Sequence, residues 1–206
     1  MGRGHRVIDA DYLYHVGSRG NNGEAIVRDR GDCGAFLRDL DRVARKFDWE
    51  VWSWCLMTNH VHLVLRTPNG GLSQGMQQLN GNNGRRMNRR HGRRGHLVQN
   101  RFFAVPLESE AHMQAAIAYV ARNPVKAGLC RTAAQWPYSS DRATVGPEPA
   151  PGWLVVSQVL ALFGYDREHA LTRYRDMVQS GHLPVSDTIE VVSRWEAAAG
   201  DGGGVA

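Results

Sequence analysis

Residues 51–66, VWSWCLMTNHVHLVLR, constrain this chain more than any other stretch. Two runs of alternating character flank Thr58 and Asn59, and that short separation predicts a tight turn between antiparallel strands over 50–57 and 60–66. Side chains two apart on a strand share a face. His60, His62 and Val64 are therefore expected on one side, with Val61, Leu63 and Leu65 on the other. The same alternation puts Trp52 and Trp54 together, as core residues. Two imidazoles side by side on a rigid strand offer adjacent nitrogen donors to a divalent metal. Taken alone, the pair also reads as two hydrogen-bonded surface histidines.

The remaining elements follow from periodicity. YLYHVGSR at 12–19 reads as a first strand ending in the turn cluster Gly20–Gly23, with Arg19 at its mouth, either exposed or touching phosphate. From Asp32 to Phe47 apolar residues recur at three and four, predicting a helix with Asp32 as N-cap. Leu72 to about Arg90 predicts a second helix, with Met76, Leu79 and Met87 as its apolar contacts, although it contains Gly81 and Gly84. RFFAVPL at 101–107 reads as an edge strand, because Pro106 cannot donate to a ladder. Ser109 should cap a helix ending near Asn123, since Pro124 disfavours helical geometry before it. On that helix Tyr119 and Asn123 lie four apart on one flank of the apolar stripe, which suits a rim tyrosine and a helix-end asparagine as well as a site. Strand, helix, strand, strand, helix, strand, helix predicts an α+β fold, an antiparallel sheet with helices mainly on one face. GPEPAPG at 146–152 reads as a linker, two short helices are expected within 153–196, and the Ala- and Gly-rich residues 197–206 as a disordered tail.

Charge narrows the partner. The net charge is +5, and six arginines fall between positions 85 and 94. If helical, Arg86, Arg90 and Arg94 form one row beside Arg85, Arg89 and Arg93, a stripe matched to a phosphate backbone or a solvated basic face. Three cysteines without CxxC spacing indicate neither a disulfide framework nor a thiolate zinc site. No apolar run approaches the roughly 20 residues that span a bilayer, and no secretory signal is visible, so the expectation is a cytoplasmic protein with no membrane partner.

Several motifs occur together: YHVGSRGNN, LMTNHVHLVL, GRRMNRRHGRRGH, QNRFF, AYVARNPVKAGL and WPYSS, between about Tyr14 and Ser140. In that order they resemble the REP-associated tyrosine transposases, a branch of the single-tyrosine HUH nucleases. The chain departs from the resemblance at Asn83 and His112, where an aromatic residue is common. The resemblance implies a ferredoxin-like transposase domain over residues 1–145, followed by the 153–196 helical extension. It implies Tyr119 as the nucleophile and Asn123 as a third metal ligand beside His60 and His62, holding Mg²⁺ or Mn²⁺, because an amide oxygen suits a hard ion. The expected partner is single-stranded or hairpin DNA, bound through Arg19, Arg85, Arg86, Arg89, Arg90, Arg93, Arg94 and Arg101, at the nucleoid of a bacterium. A monomer is favoured and a dimer left open. Two rival readings are a catalytically silent hairpin-binding protein that keeps the basic stripe, and a metal-dependent hydrolase, for which no HExxH or carboxylate cluster is present.

Overall fold

The computed structural model describes residues 9–146, 148–181 and 192. Strand β1 (Leu13–Arg19), helix α1 (Arg30–Lys46), strands β2 (Glu50–Leu56) and β3 (His60–Arg66), helix α2 (Leu72–His91) and strand β4 (Phe103–Leu107) complete a βαββαβ unit. Its sheet is antiparallel between neighbours and ordered β2-β3-β1-β4. Helices α3 (Glu110–Lys126), α4 (Asp141–Val145), α5 (Val156–Ala161) and α6 (Arg167–Ser180) follow. The linker's residue 147, the far end of the 153–196 extension apart from Val192, and the 197–206 tail lie outside the described residues.

The α+β antiparallel class read from the sequence is the one observed. Its two crossover helices, α1 and α2, share one face, burying Phe36, Leu40, Val43, Met76, Leu79 and Met87 against Val16, Val61, Leu63 and Leu65. Each such side chain contributes about 1.5–3 kcal/mol when fully buried. The other face is also apolar, through Leu13, Cys55, Val64 and Leu107, and it takes α3 with α5 and α6. The helices thus divide between two faces rather than gathering mainly on one. Buried alanines at 115, 116, 118 and 121 let α3 sit close on its sheet.

Local departures have local causes. A register shift between Val51 and Ser53 inserts Trp52 as an extra residue. Such a bulge reverses the alternation beyond it, so Trp54 packs with α1 and α2 while Trp52 packs on the α3 side, instead of the two sharing a face. Asp29, not Asp32, caps α1: its carboxylate accepts from the Asp32 N–H at 2.9 Å. Asp32 turns back to accept from the Arg28 N–H at 3.0 Å. Helix α3 runs through Pro124 to Lys126, three residues past its expected end. A proline this near the terminus removes one intrahelical bond, and the Ala127 N–H to Asn123 carbonyl bond at 3.0 Å closes the turn.

Three glycines lie deeper in α2, each costing about 1 kcal/mol relative to Ala. Gly75 is needed, because the Trp49 indole packs where a Cβ would stand.

The outer edge of β2 is covered by the chain itself. The Leu56 N–H donates to the Tyr138 carbonyl at 2.8 Å, Ser140 N–H to Trp54 at 2.9 Å, and Val51 N–H to Trp153 at 2.9 Å. The WPYSS segment and the start of the extension therefore close an edge that would otherwise be open to pairing. Helix α6 is tied to α3 by the Arg122 guanidinium, which donates to the carbonyls of Val178 and Gln179, each at 2.7 Å.

Candidate active site

Register places the central residues. On β1, His15, Gly17 and Arg19 share the face that receives α3, and they stand opposite Val64, His62 and His60 of β3. The His60 and His62 rings lie 5.0 Å apart. Helical phase brings Tyr119, Asn123 and Lys126 to the same place from α3: the Tyr119 ring is 5.9 Å from that of His62, and the Lys126 Nζ is 5.2 Å from the Tyr119 ring centre. His62, Tyr119 and Asn123 are all buried.

Hydrogen bonds orient the imidazoles. His60 Nδ1 is 2.7 Å from Asn59 Oδ1, and when it donates there its lone pair sits on Nε2. That Nε2 faces Asn123 Oδ1 at 2.9 Å. In that tautomer both atoms present lone pairs, and a cation between them would satisfy both. Neighbouring donors on an octahedron with bonds of about 2.1 Å stand about 3 Å apart, so this pair fits one edge of a hard divalent ion's shell. His62 Nδ1 is 3.1 Å from His15 Nε2. When His62 is the donor in that bond, its own Nε2 lone pair becomes the ligating one, the arrangement usual for metal-bound histidines. The Phe103 ring packs on His15 and His62 at 5.3 and 5.9 Å, over Gly17, where a Cβ would overlap the ring.

His15, Asn59, Phe103 and Lys126 were not singled out from the sequence. His15 had a visible signal, since it alternates with Gly17 and Arg19 as His60 does with His62. Lys126 lies seven residues, or two turns, from Tyr119, but only in a helix that continues past Pro124.

The arginine stripe is split. Arg86 is paired with Asp39, Arg90 with Asp29 and Asp32, and Arg93 with Glu24. The helix ends at His91, and Gly92 takes a left-handed conformation, so Arg93 and Arg94 leave the expected helical row. Arg85, Arg89, Arg94 and Arg101 are exposed and have no carboxylate partner among the described residues. Arg19 is buried, beside His60 in the register. Buried Asn83 bridges α2 to the loop before α1: its Nδ2 donates to the Ile26 carbonyl at 2.9 Å, and its Oδ1 accepts from Arg86 at 2.6 Å.

A second cluster of ligand type, Asp29, Asp32 and His91, joins the start of α1 to the end of α2. Arg90 already supplies its cation, with Nη1 2.8 Å from Asp29 Oδ1. Burial pushes the Asp32 carboxyl up, but the Arg28 N–H, His91 and Arg90 outweigh it and hold it below the usual carboxylate range. The cluster reads as a structural ion-pair network.

Residues 11–123, more than half of the chain, match the family described as "Transposase IS200 like". The chain belongs to that family. In this IS200-like transposase the matched region contains His60, His62, Tyr119 and Asn123 and stops before α4 to α6. The protein is similar in structure to "the REP associates tyrosine transposase bound to a REP hairpin", with a TM-score of 0.60 and 18% identity over 73% of this chain and 89% of that one. At that identity the likeness is one of fold. No curated protein matches this transposase significantly, and none of its described helices is long and apolar enough to cross a membrane.

Proposed function

We propose that this transposase cuts and rejoins single-stranded DNA of the REP-hairpin type through a covalent 5′-phosphotyrosine on Tyr119. The observation that carries the reading is the convergence of a buried tyrosine with three oriented metal-type donors, His60, His62 and Asn123, across α3 and β3. These three would hold Mg²⁺ or Mn²⁺. Bound there, the ion would polarise the scissile phosphate and offset the charge that develops on it. The Tyr119 oxygen attacks phosphorus, the bond from phosphorus to the 3′ oxygen breaks, and the proton lost by the phenol is balanced by the one gained by the departing 3′-hydroxyl. The phosphodiester energy is kept in the phosphotyrosine, so the reverse attack by a 3′-hydroxyl rejoins strands without ATP. Lys126 and Arg19 add positive charge beside this centre, while Asn59 and His15 hold the ligand imidazoles in their coordinating tautomers.

The hairpin partner is carried over from the DNA-bound structural relative, and the exposed Arg85, Arg89, Arg94 and Arg101 suit its phosphates. The site draws on β1, β3 and α3 of one chain, which favours a monomer. Residues 1–145 would carry the transposase domain, 146–152 the link, and the 153–196 extension a brace for α3 through Arg122. Incubating the protein with labelled single-stranded DNA and Mn²⁺, then resolving it under denaturing conditions, tests the reading. A covalent protein–DNA band is expected. Binding without such a band would leave only a silent hairpin binder, and free hydrolysed ends would indicate a hydrolase.

A further inference from the structure

Helix α3 carries Tyr119 and Asn123, yet much of its buried surface is made of short side chains, Ala115, Ala116, Ala118 and Ala121. Alanines allow close approach but interlock less than large side chains, so they do little to fix how far a helix is turned about its axis. Rotation matters at this site. A side-chain end lies about 5–6 Å from the axis of its helix, so a turn of about 20° carries it through about 2 Å. That is roughly ten times the tolerance of about 0.2 Å on a metal–ligand distance.

Contacts from the extension, beyond the region matched to the family, hold α3 in place. Gln114 and Arg122, about two turns apart on one flank of α3, reach the C-terminal ends of two helices. Gln114 Nε2 donates to the Leu162 carbonyl at the end of α5. Arg122 Nη1 donates to the carbonyls of Val178 and Gln179, each at 2.7 Å. These belong to the last turn of α6, where carbonyls lack partners within the helix and carry the negative end of its dipole, so a guanidinium suits them. Gly181 caps α6 in the left-handed conformation and lies against the same guanidinium: a Cβ there would stand 2.4 Å from Arg122 Cζ. Helix α6 is itself anchored to α4. Tyr174 OH donates to the buried Asp141 Oδ1 at 2.8 Å, and the Arg175 guanidinium to the Val145 carbonyl at 2.8 Å. Ser140, just before α4, donates its N–H to the Trp54 carbonyl of β2 at 2.9 Å. A chain of hydrogen bonds thus runs from the edge of the sheet through α4 and α6 to Arg122, the neighbour of Asn123.

We propose that α6 is a positioning element of the active site, its grip on Arg122 setting the rotation of α3 that places Tyr119 and keeps Asn123 Oδ1 facing His60. The inference rests on the function proposed above. Arg122 is then a positioning residue, acting through α3 rather than by touching metal or DNA. An extension that only added stability would leave the site unchanged in any variant that remains folded.

The test uses the full chain with three substitutions. Arg122→Gln removes the charge and shortens the reach, Arg122→Lys keeps an ammonium for the two carbonyls, and Gly181→Ala disturbs the guanidinium from α6 without altering α3. Mn²⁺ binding is read from the electron paramagnetic resonance of the free ion, beside the rate of adduct formation at saturating Mn²⁺ and single-stranded DNA, the affinity for that DNA, and thermal midpoints. Well below their melting temperatures, Arg122→Gln and Gly181→Ala should each bind Mn²⁺ about tenfold more weakly and form adduct about tenfold more slowly. Single-strand affinity should stay within about twofold of the parent, and Arg122→Lys should recover most of both losses. Lower melting temperatures with unchanged Mn²⁺ binding and adduct rate would overturn the proposal, leaving α6 a source of stability alone. A loss in Arg122→Gln without one in Gly181→Ala would also overturn it, because Arg122 would then act independently of α6. In both cases a parent protein that forms its adduct keeps the proposed function. A parent that neither binds Mn²⁺ nor forms an adduct overturns both.

Discussion

His60 Nε2 on β3 and Asn123 Oδ1 on α3 stand 2.9 Å apart, joining the sheet to the helix that carries Tyr119. When His60 Nδ1 donates to Asn59 Oδ1, 2.7 Å away, both atoms of this pair present lone pairs to a metal. Asn123→Ala should therefore fold normally and raise the Mn²⁺ concentration needed for adduct formation by at least about tenfold, while Asn123→Asp, which keeps an oxygen there, should recover much of the loss. A Mn²⁺ titration of adduct yield reads the effect. An unchanged titration for the alanine variant would remove Asn123 from the ligand set.

The divided arginines predict two kinds of variant. Replacing Arg85 and Arg89 with Gln should flatten the slope of log affinity against log salt by about 1.4 units on single strands, if both contact phosphate. The same change at Arg86 and Arg90, which sit among Asp29, Asp32 and Asp39, should instead lower the melting temperature and change the salt slope little. Salt titrations and thermal melts on both double variants distinguish the roles, and a slope change confined to the second pair would reverse the assignment.

Asp32 gives a pH dependence. Its carboxyl is held below the usual carboxylate range in the folded protein, so it contributes stability above its unfolded pKa and loses that contribution as pH falls through its folded value. Asp32→Asn should cost about 1–3 kcal/mol at pH 7. The gap to the parent protein should narrow below about pH 4, where the unfolded carboxyl takes up its proton. Denaturant melts across pH measure it, and a gap that widens on acidification would contradict the assignment.

Gly17 lies under the Phe103 ring, in register with His62. Gly17→Ala should cost about 1–3 kcal/mol through overpacking and move the ring that rests on His15 and His62. Loss of adduct formation under conditions where the variant remains folded is the expected result. Full activity would show that the ring's position is unimportant.

The sequence revealed most where one period governed a whole element. Alternation over 60–66 put His60 and His62 on one face correctly, and three-and-four spacing found α1, α2 and the buried stripe of α3. It failed where a single residue interrupts the period: the bulge at Trp52 separates two tryptophans that alternation keeps together, and Gly92 takes Arg93 and Arg94 off the helix. Tertiary pairing was hidden for a different reason. That Arg86 and Arg90 face carboxylates on and just before α1 depends on how α1 and α2 pack, which no local pattern encodes. His15 acquires its place only when β1 is laid beside β3, although YHVGSRGNN already marked its neighbourhood through the family resemblance.

In the proposed reaction Tyr119 supplies the oxygen of the protein–DNA bond. Tyr119→Phe preserves the ring that packs near His62 and removes the only oxygen proposed to attack phosphorus. The direct measurement is to form the adduct on single-stranded DNA with Mn²⁺, digest it, and find the nucleotide-bearing peptide by mass spectrometry. The tag is expected on the peptide containing Tyr119, with no adduct from Tyr119→Phe and retained binding of hairpin DNA by that variant. A tag on the peptide carrying Tyr12, Tyr14 or Tyr138, or an undiminished adduct from Tyr119→Phe, would contradict it.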